Sequence, residues 1–226
     1  ENFSQMFKKL EEEKGIKFNC VDLFDEDIHL TENFNTFKKH IKNDMVVTMI
    51  VNDKPVRLLQ EDINLLKHYD YDSGPNDNRL SVKVMETVFG KIEGWDVSWV
   101  EDMETLFYNL CDFNRNINDW DVSNVKNMKR IFYKCATFNQ PLFKWNVSNV
   151  KNMEEMFYNC HRFDQHINMW KTDSVEFMSC IFDGCHEFNK PLNLWNVSKV
   201  NNFTCIFYNC RIFDQPLNDW DMSNAT

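Results

Sequence analysis

Tryptophan recurs at Trp95, Trp120, Trp145, Trp170, Trp195 and Trp220, a spacing of 25 residues held without insertion. Phe107, Phe132, Phe157, Phe182 and Phe207 keep the same step, as do Phe113, Phe138, Phe163, Phe188 and Phe213. Val100, Val125, Val150, Val175 and Val200 form another column, and Met103, Met128, Met153 and Met178 a further one, continued by Phe203. Cys135, Cys160, Cys185 and Cys210 line up too, with Leu110 in the first rung. A fixed period of this length marks stacked repeats, in which a unit buries its apolar face only against its neighbours. The Trp, Phe, Val and Cys columns are therefore the expected core ladder.

One rung shows what each unit builds. In Pro141-Leu142-Phe143-Lys144-Trp145-Asn146-Val147, Trp145 and Val147 alternate with polar residues, which predicts a short strand with one buried face. Pro141 at its start gives up a donor where the ladder need not yet exist. Val150, Met153, Met156, Phe157 and Cys160 then follow helical spacing, which predicts a helix of about two turns. Asn152 stands at its N-cap, in one column with Asp102, Asn127 and Asn202. At the other end Asn109, Asn159, Gly184 and Asn209 share a column, residue types that tolerate the left-handed conformation ending a helix. The expected fold class is an α/β repeat solenoid with one short strand and one short helix per rung. With strands about 4.8 Å apart, five to six rungs reach roughly 25–30 Å.

The stretch Phe138-Asn139-Gln140-Pro141-Leu142-Phe143-Lys144-Trp145-Asn146-Val147-Ser148-Asn149-Val150-Lys151-Asn152-Met153 resembles the repeat of the BspA-like leucine-rich-repeat surface-protein family. Rungs of that family read Phe-Asn-x-Pro-Leu-x-x-Trp-Asp-Val-Ser-x-Val-x-x-Met. Phe113 to Met128, Phe188 to Val200 and Phe213 to Ser223 match as well, so the resemblance covers about residues 88–226. It implies a leucine-rich-repeat-like solenoid used for adhesion or protein–protein contact, and it brings no catalytic residue. Members occur on bacterial surfaces, in protists and in large DNA viruses. The fourth rung departs from the pattern. Lys171-Thr172-Asp173 replaces Asp/Asn-Val-Ser, Phe177 fills the cap column, and His166 stands where Pro is usual. His166, Lys171, Asp173 and Phe177 are thus the candidate partner contacts.

Residues 1–87 do not repeat, and they are expected to form a small α+β capping and contact domain ahead of a solenoid over 88–226. Phe3 to Lys14 and Thr31 to Lys42 have helical spacing, with Gly15 as a stop for the first. Met45 to Val51 reads as a strand, Glu61 to His68 as a short helix, and Asp70 to Asn78 as the linker. Val88, Ile92 and Trp95 fit the Phe, Leu and Trp columns as a worn half-rung. The last rung is expected to present an open edge on which further protein can stack.

The chain carries a net charge of −10, split evenly between residues 1–90 and 91–226. A diffuse negative field disfavours nucleic acid and anionic membrane as partners. No apolar run reaches the length of a spanning helix. The chain opens at Glu1 rather than Met, so the lack of a signal peptide in residues 1–20 says little about location.

The inward cysteines read as reduced core thiols, since free Cys packs as a small hydrophobe. Cys180 and Cys205 are expected in a second inward column. Reduced thiols favour an intracellular or virion setting over the cell surface. Cys160-His161 and Cys185-His186 imitate a zinc set, but adjacent residues point to different sides, so no metal and no cofactor are expected. Asp96, Asp121 and Asp221 share their column with Asn146 and Asn196, which makes an Asn/Asp hydrogen-bond ladder a better reading than a catalytic row. Asn146, Asn196 and Asn202 begin Asn-x-Ser/Thr sequons that belong to the repeat motif rather than to glycan sites. The expected function is a non-catalytic interaction or scaffold module whose partners are other protein subunits, for example in a giant-virus particle or a large eukaryotic complex. An extracellular adhesin is the competing class, and an enzyme with its site in residues 1–87 a third, which Asp22, Asp25, His29 and His40 are too scattered to support.

Overall fold

The computed structural model describes residues 20–22, 48–50, 56–58, 60–67 and 82–225. Ahead of the rungs lie β1 (Cys20–Asp22), β2 (Thr48–Ile50), β3 (Val56–Arg57), α1 (Gln60–Lys67) and α2 (Val82–Phe89). A 3-10 turn (Ile92–Gly94) leads into β4 (Trp95–Asp96). β1 pairs with β2 in parallel, Cys20 opposite Thr48, and β3 pairs with β4 in parallel, Val56 opposite Trp95. The strand read at 45–51 and the helix read at 61–68 correspond to β2 and α1. The helices read over 3–14 and 31–42, Asp22 apart from its backbone, Asp25, His29, His40 and the linker over 70–78 lie outside the described residues. α2 forms because Val82, Met85 and Phe89 recur at helical spacing and are buried, and it ends at Gly90 with φ +73°.

From residue 97 onward the rungs stack in register, and the backbone does so in an unexpected way. No helix follows the Asn column among the described residues. Instead the segment is a run of turns: Met156 N–H donates to the Met153 carbonyl, Tyr158 to Glu155 and Cys160 to Phe157 (3.2, 3.1 and 2.9 Å). The alternate amides leave the rung altogether. Met153, Glu155, Phe157 and Asn159 donate to the carbonyls of Phe177, Ser179, Ile181 and Asp183 in the next rung (2.7–3.0 Å). Half the donors a helix would keep are therefore spent on stacking. Positive φ at Glu155 (53°) and Asn159 (55°), each third in its turn, is type II geometry. Met153, Met156, Phe157 and Cys160 are buried all the same. A pair of such turns buries positions 0, 3, 4 and 7, the set that a helix also buries, and this is why the spacing reads as helical.

The strand moves as well. Burial alternates at Trp145, Asn146 and Val147 as expected, but that segment carries no strand; only in the first rung does β4 pair. The parallel pairing sits at the Asn column, as single bridges joining Asp102 to Asn127, Asn127 to Asn152 and Asn152 to Phe177.

Side chains complete the ladder. Phe132 and Phe138 stack at 4.1 Å within a rung and Phe157 and Phe163 at 4.0 Å in the next, while Phe132 meets Phe157 at 5.6 Å between rungs. Each Trp indole donates to a carbonyl 28 residues earlier: Trp120 to Ile92, Trp145 to Ile117, Trp170 to Leu142, Trp195 to Ile167, Trp220 to Leu192 (2.9–3.0 Å). Trp95 donates to Phe89 and Gly90 instead. A buried indole N–H left without a partner is costly, so these bonds fix the register between rungs.

At the first rung the side-chain amide of Gln60 on α1 stands in for a preceding rung. Its Oε1 accepts from the Glu101 and Asp102 amides (2.9 Å each) and its Nε2 donates to the Asp102 carbonyl (2.8 Å). In the next rung the Glu101 carbonyl receives the amides of Lys126 and Asn127 in the same way. Arg115 joins α2 through a two-pronged ion pair with Glu86 (3.0 and 2.9 Å). In the last rung Phe203, Phe207, Cys210, Phe213 and Leu217 are only partly buried.

Candidate functional site

The polar columns are mostly occupied in holding the chain. Asp96, Asp121, Asn146, Asn196 and Asp221 each accept, through Oδ1, the amide of the Ser two residues on (3.0–3.2 Å). These are Asx turns, which need an acceptor and are indifferent to charge, so Asp and Asn alternate. Asp102, Asn127, Asn152 and Asn202 do the same for residues 104, 129, 154 and 204, opening a turn run rather than a helix. Asn114, Asn139, Asp164 and Asn189 carry a third ladder, each side chain accepting an amide of the following rung (2.9–3.0 Å).

The inward cysteines also act as donors. Cys135, Cys160, Cys185 and Cys210 give their S–H to the carbonyls of Phe107, Phe132, Phe157 and Phe182 (2.9–3.1 Å). Burial raises the thiols of Cys160 and Cys185 well above the ordinary value and that of Cys210 to about 12. With the proton committed to a carbonyl inside the stack, these thiols are poorly placed to act as nucleophiles. His161 and His186 lie on the surface and stack on one another (4.4 Å, 6°), turned away from the buried thiols beside them. Burial, then Arg211 and His161, lower the His186 imidazole.

The fourth-rung residues His166, Lys171, Asp173 and Phe177 are all exposed, and no contact joins them to one another among the described residues. Lys171 removes an Asx turn. In its place Thr172, buried where the other rungs have Val97, Val122, Val147 and Val197, donates to the Asn196 carbonyl (2.9 Å), and Asn196 Nδ2 donates to Asp173 (2.8 Å). Phe177 ends the run of parallel bridges. Apolar exposure gathers elsewhere: Phe143, Met169 and Leu194 are 59%, 76% and 57% exposed in the two columns just before Trp, on three successive rungs. Leu194 borders a hollow of about 420 Å³ that Trp195, Val197, Asp219 and Asp221 also line.

One grouping escaped the sequence. Cys180 and Cys205 do not point inward; the first is half-buried and the second exposed, both at φ 54° in the left-handed turn column. Their sulfurs and a carboxylate oxygen of Asp183 all lie within 4.8 Å of one another. Burial, then Cys205 and Asp183, raise the Cys180 thiol to about 11; burial and then Glu155 raise the Asp183 carboxyl. The signal was a double break in the pattern. Asp183 interrupts the Tyr108, Tyr133, Tyr158 column in the same rung in which thiols begin to occupy the column of Thr105, Arg130 and Glu155.

No helix among the described residues is long and apolar enough to cross a membrane. No curated protein and no solved structure matches the chain. The family model described as "Mycoplasma protein of unknown function, DUF285" matches residues 78–176 and again 144–226, which together make up about two thirds of the chain. The chain thus belongs to the DUF285 family, the family of BspA-like repeats.

Proposed function

We propose that the array is a leucine-rich-repeat-like solenoid working as a non-catalytic interaction or scaffold module, a structural subunit that engages other proteins. The observation that carries this reading is the run of Phe143, Met169 and Leu194, 59%, 76% and 57% exposed in adjoining columns on three successive rungs. Exposed apolar groups that are contiguous rather than scattered mark contact surfaces. The polar columns support it from the other side, because their acceptors are engaged in turns and rung-to-rung bonds instead of converging on a cleft. The test is photo-crosslinking from the Met169 position in a native extract, comparing the parent with a Phe143→Ser/Leu194→Ser protein of equal melting temperature. The reading expects discrete protein adducts that vanish in the variant. Identical adducts in both proteins, or purified protein that turns over a small molecule, contradict it.

A further inference from the structure

Two neighbouring columns run along one side of the turn segments. The first holds Thr105, Arg130, Glu155, Cys180 and Cys205; the second, three residues on, holds Tyr108, Tyr133, Tyr158, Asp183 and Tyr208. In the second and third rungs this surface is closed by its own chemistry. Arg130 grips Glu155 with two bonds (2.6 and 3.0 Å), and Tyr133 stacks on Tyr158 at 4.6 Å. In the fourth and fifth rungs both devices are gone, and two thiols and a carboxylate take their places.

Asp183 is only 8% exposed, and none of the described residues donates a hydrogen bond to its carboxylate. The formal charge that acts on it is that of Glu155, which has the same sign and is already held by Arg130. Burial and a like charge both disfavour the ionised form of this carboxyl. A cation between Asp183 and the two sulfurs, whose ligand atoms lie within 4.8 Å of one another, would favour that ionised form. The geometry points to a zinc site in which Cys180, Asp183 and Cys205 bind one Zn²⁺ and clip the fourth rung to the fifth.

The donor set selects the metal. Two sulfurs and one carboxylate suit borderline-soft Zn²⁺, whereas Ca²⁺ and Mg²⁺ take oxygen alone. Ligand atoms around tetrahedral zinc stand on the order of 3.5 Å apart, given Zn–S near 2.3 Å and Zn–O near 2.1 Å. The three atoms within 4.8 Å need close by only about an ångström, which side-chain rotation supplies at the exposed Cys205. Water takes the fourth position. Binding converts both thiols to thiolates and releases two protons, so the metal and its three protein ligands carry a net −1. The clip adds to a backbone ladder that the fourth and fifth rungs already share, the amides of Cys180, Phe182 and Gly184 donating to the carbonyls of Thr204, Ile206 and Tyr208 (2.8, 3.1 and 2.8 Å).

The test uses the full chain, reduced with a phosphine that does not bind metal, and titrates Zn²⁺ against a chromophoric chelator. One equivalent is expected in the parent and in Cys111→Ser, at least tenfold weaker binding in Asp183→Asn, and none in Cys180→Ser or Cys205→Ser. Co²⁺ substituted for Zn²⁺ should give a thiolate-to-cobalt charge-transfer band that falls when Cys205 is replaced. Circular dichroism shows whether each variant has folded; Cys205 is exposed and serine nearly isosteric, so that variant decides even if Cys180→Ser misfolds. No stoichiometric zinc in the reduced parent overturns the proposal. So does binding that survives in folded Cys205→Ser, which places the metal elsewhere.

Discussion

Phe157 is fully buried between Phe163, Phe132 and Phe182, with centroids at 4.0, 5.6 and 5.8 Å. Stacked neighbours on both sides leave no slack for the rung to collapse into a void. Phe157→Ala is therefore expected to cost about 3–5 kcal/mol in denaturant unfolding. The tyrosine ladder offers a test by pH. Burial, then Tyr108 and Tyr158, raise the Tyr133 phenol from its ordinary 10 to about 12, so the fold favours the neutral form. That stability is complete below pH 10 and is lost as pH climbs through about 12. Melting curves across this window should show a smaller loss for Tyr133→Phe than for the parent; equal losses would place the effect on another group. Carboxylates differ from one another: burial works to raise Glu154, yet hydrogen bonds from Lys129 and Ser179 hold it below the usual range.

At the level of the element, the turn segment is where sequence and structure diverge. The column Asn109, Asn159, Gly184 and Asn209 was legible as left-handed because its residue types announce that conformation, and φ there runs from 55° to 73°. The column Thr105, Arg130, Glu155, Cys180 and Cys205 is equally left-handed and carries no such sign, so it stayed hidden and the segment passed for a helix. Inter-rung amide bonds hold these residues in place; local preference does not. The Cys180–Asp183–Cys205 cluster was illegible because the expected helix turns Cys180 and Cys205 inward, whereas the left-handed turn leaves the first half-buried and the second exposed. Gly184 tests this geometry. A Cβ there would collide with Asn159 Oδ1, and φ is +73°, so Gly184→Ala should destabilise by about 1–3 kcal/mol. Lys134 is the reverse case, exposed at φ 59° in the Asn column. Lys134→Asn should stabilise by a few tenths to about 1 kcal/mol. Chemical denaturation measures both, and opposite signs are the expected result.

Across the whole molecule, stability is a sum of nearest-neighbour contacts, because each rung bonds to the one before and the one after. The first rung has Gln60 in place of a predecessor, so Gln60→Ala should expose the Glu101 and Asp102 amides to hydrogen exchange while leaving the middle rungs protected. The central claim is that 25 residues make one interchangeable unit of a stack. It is tested most directly by comparing the denaturant unfolding of two shortened chains, one lacking residues 145–169 and one lacking only residues 145–156. The first deletion joins Lys144 to Trp170 and keeps every column in step, so cooperative unfolding should survive at lower stability. The second throws the Trp, Phe and Cys columns out of register and should abolish it. If both chains unfold alike, or the whole-rung deletion is the worse, the rungs are not equivalent units and the account fails.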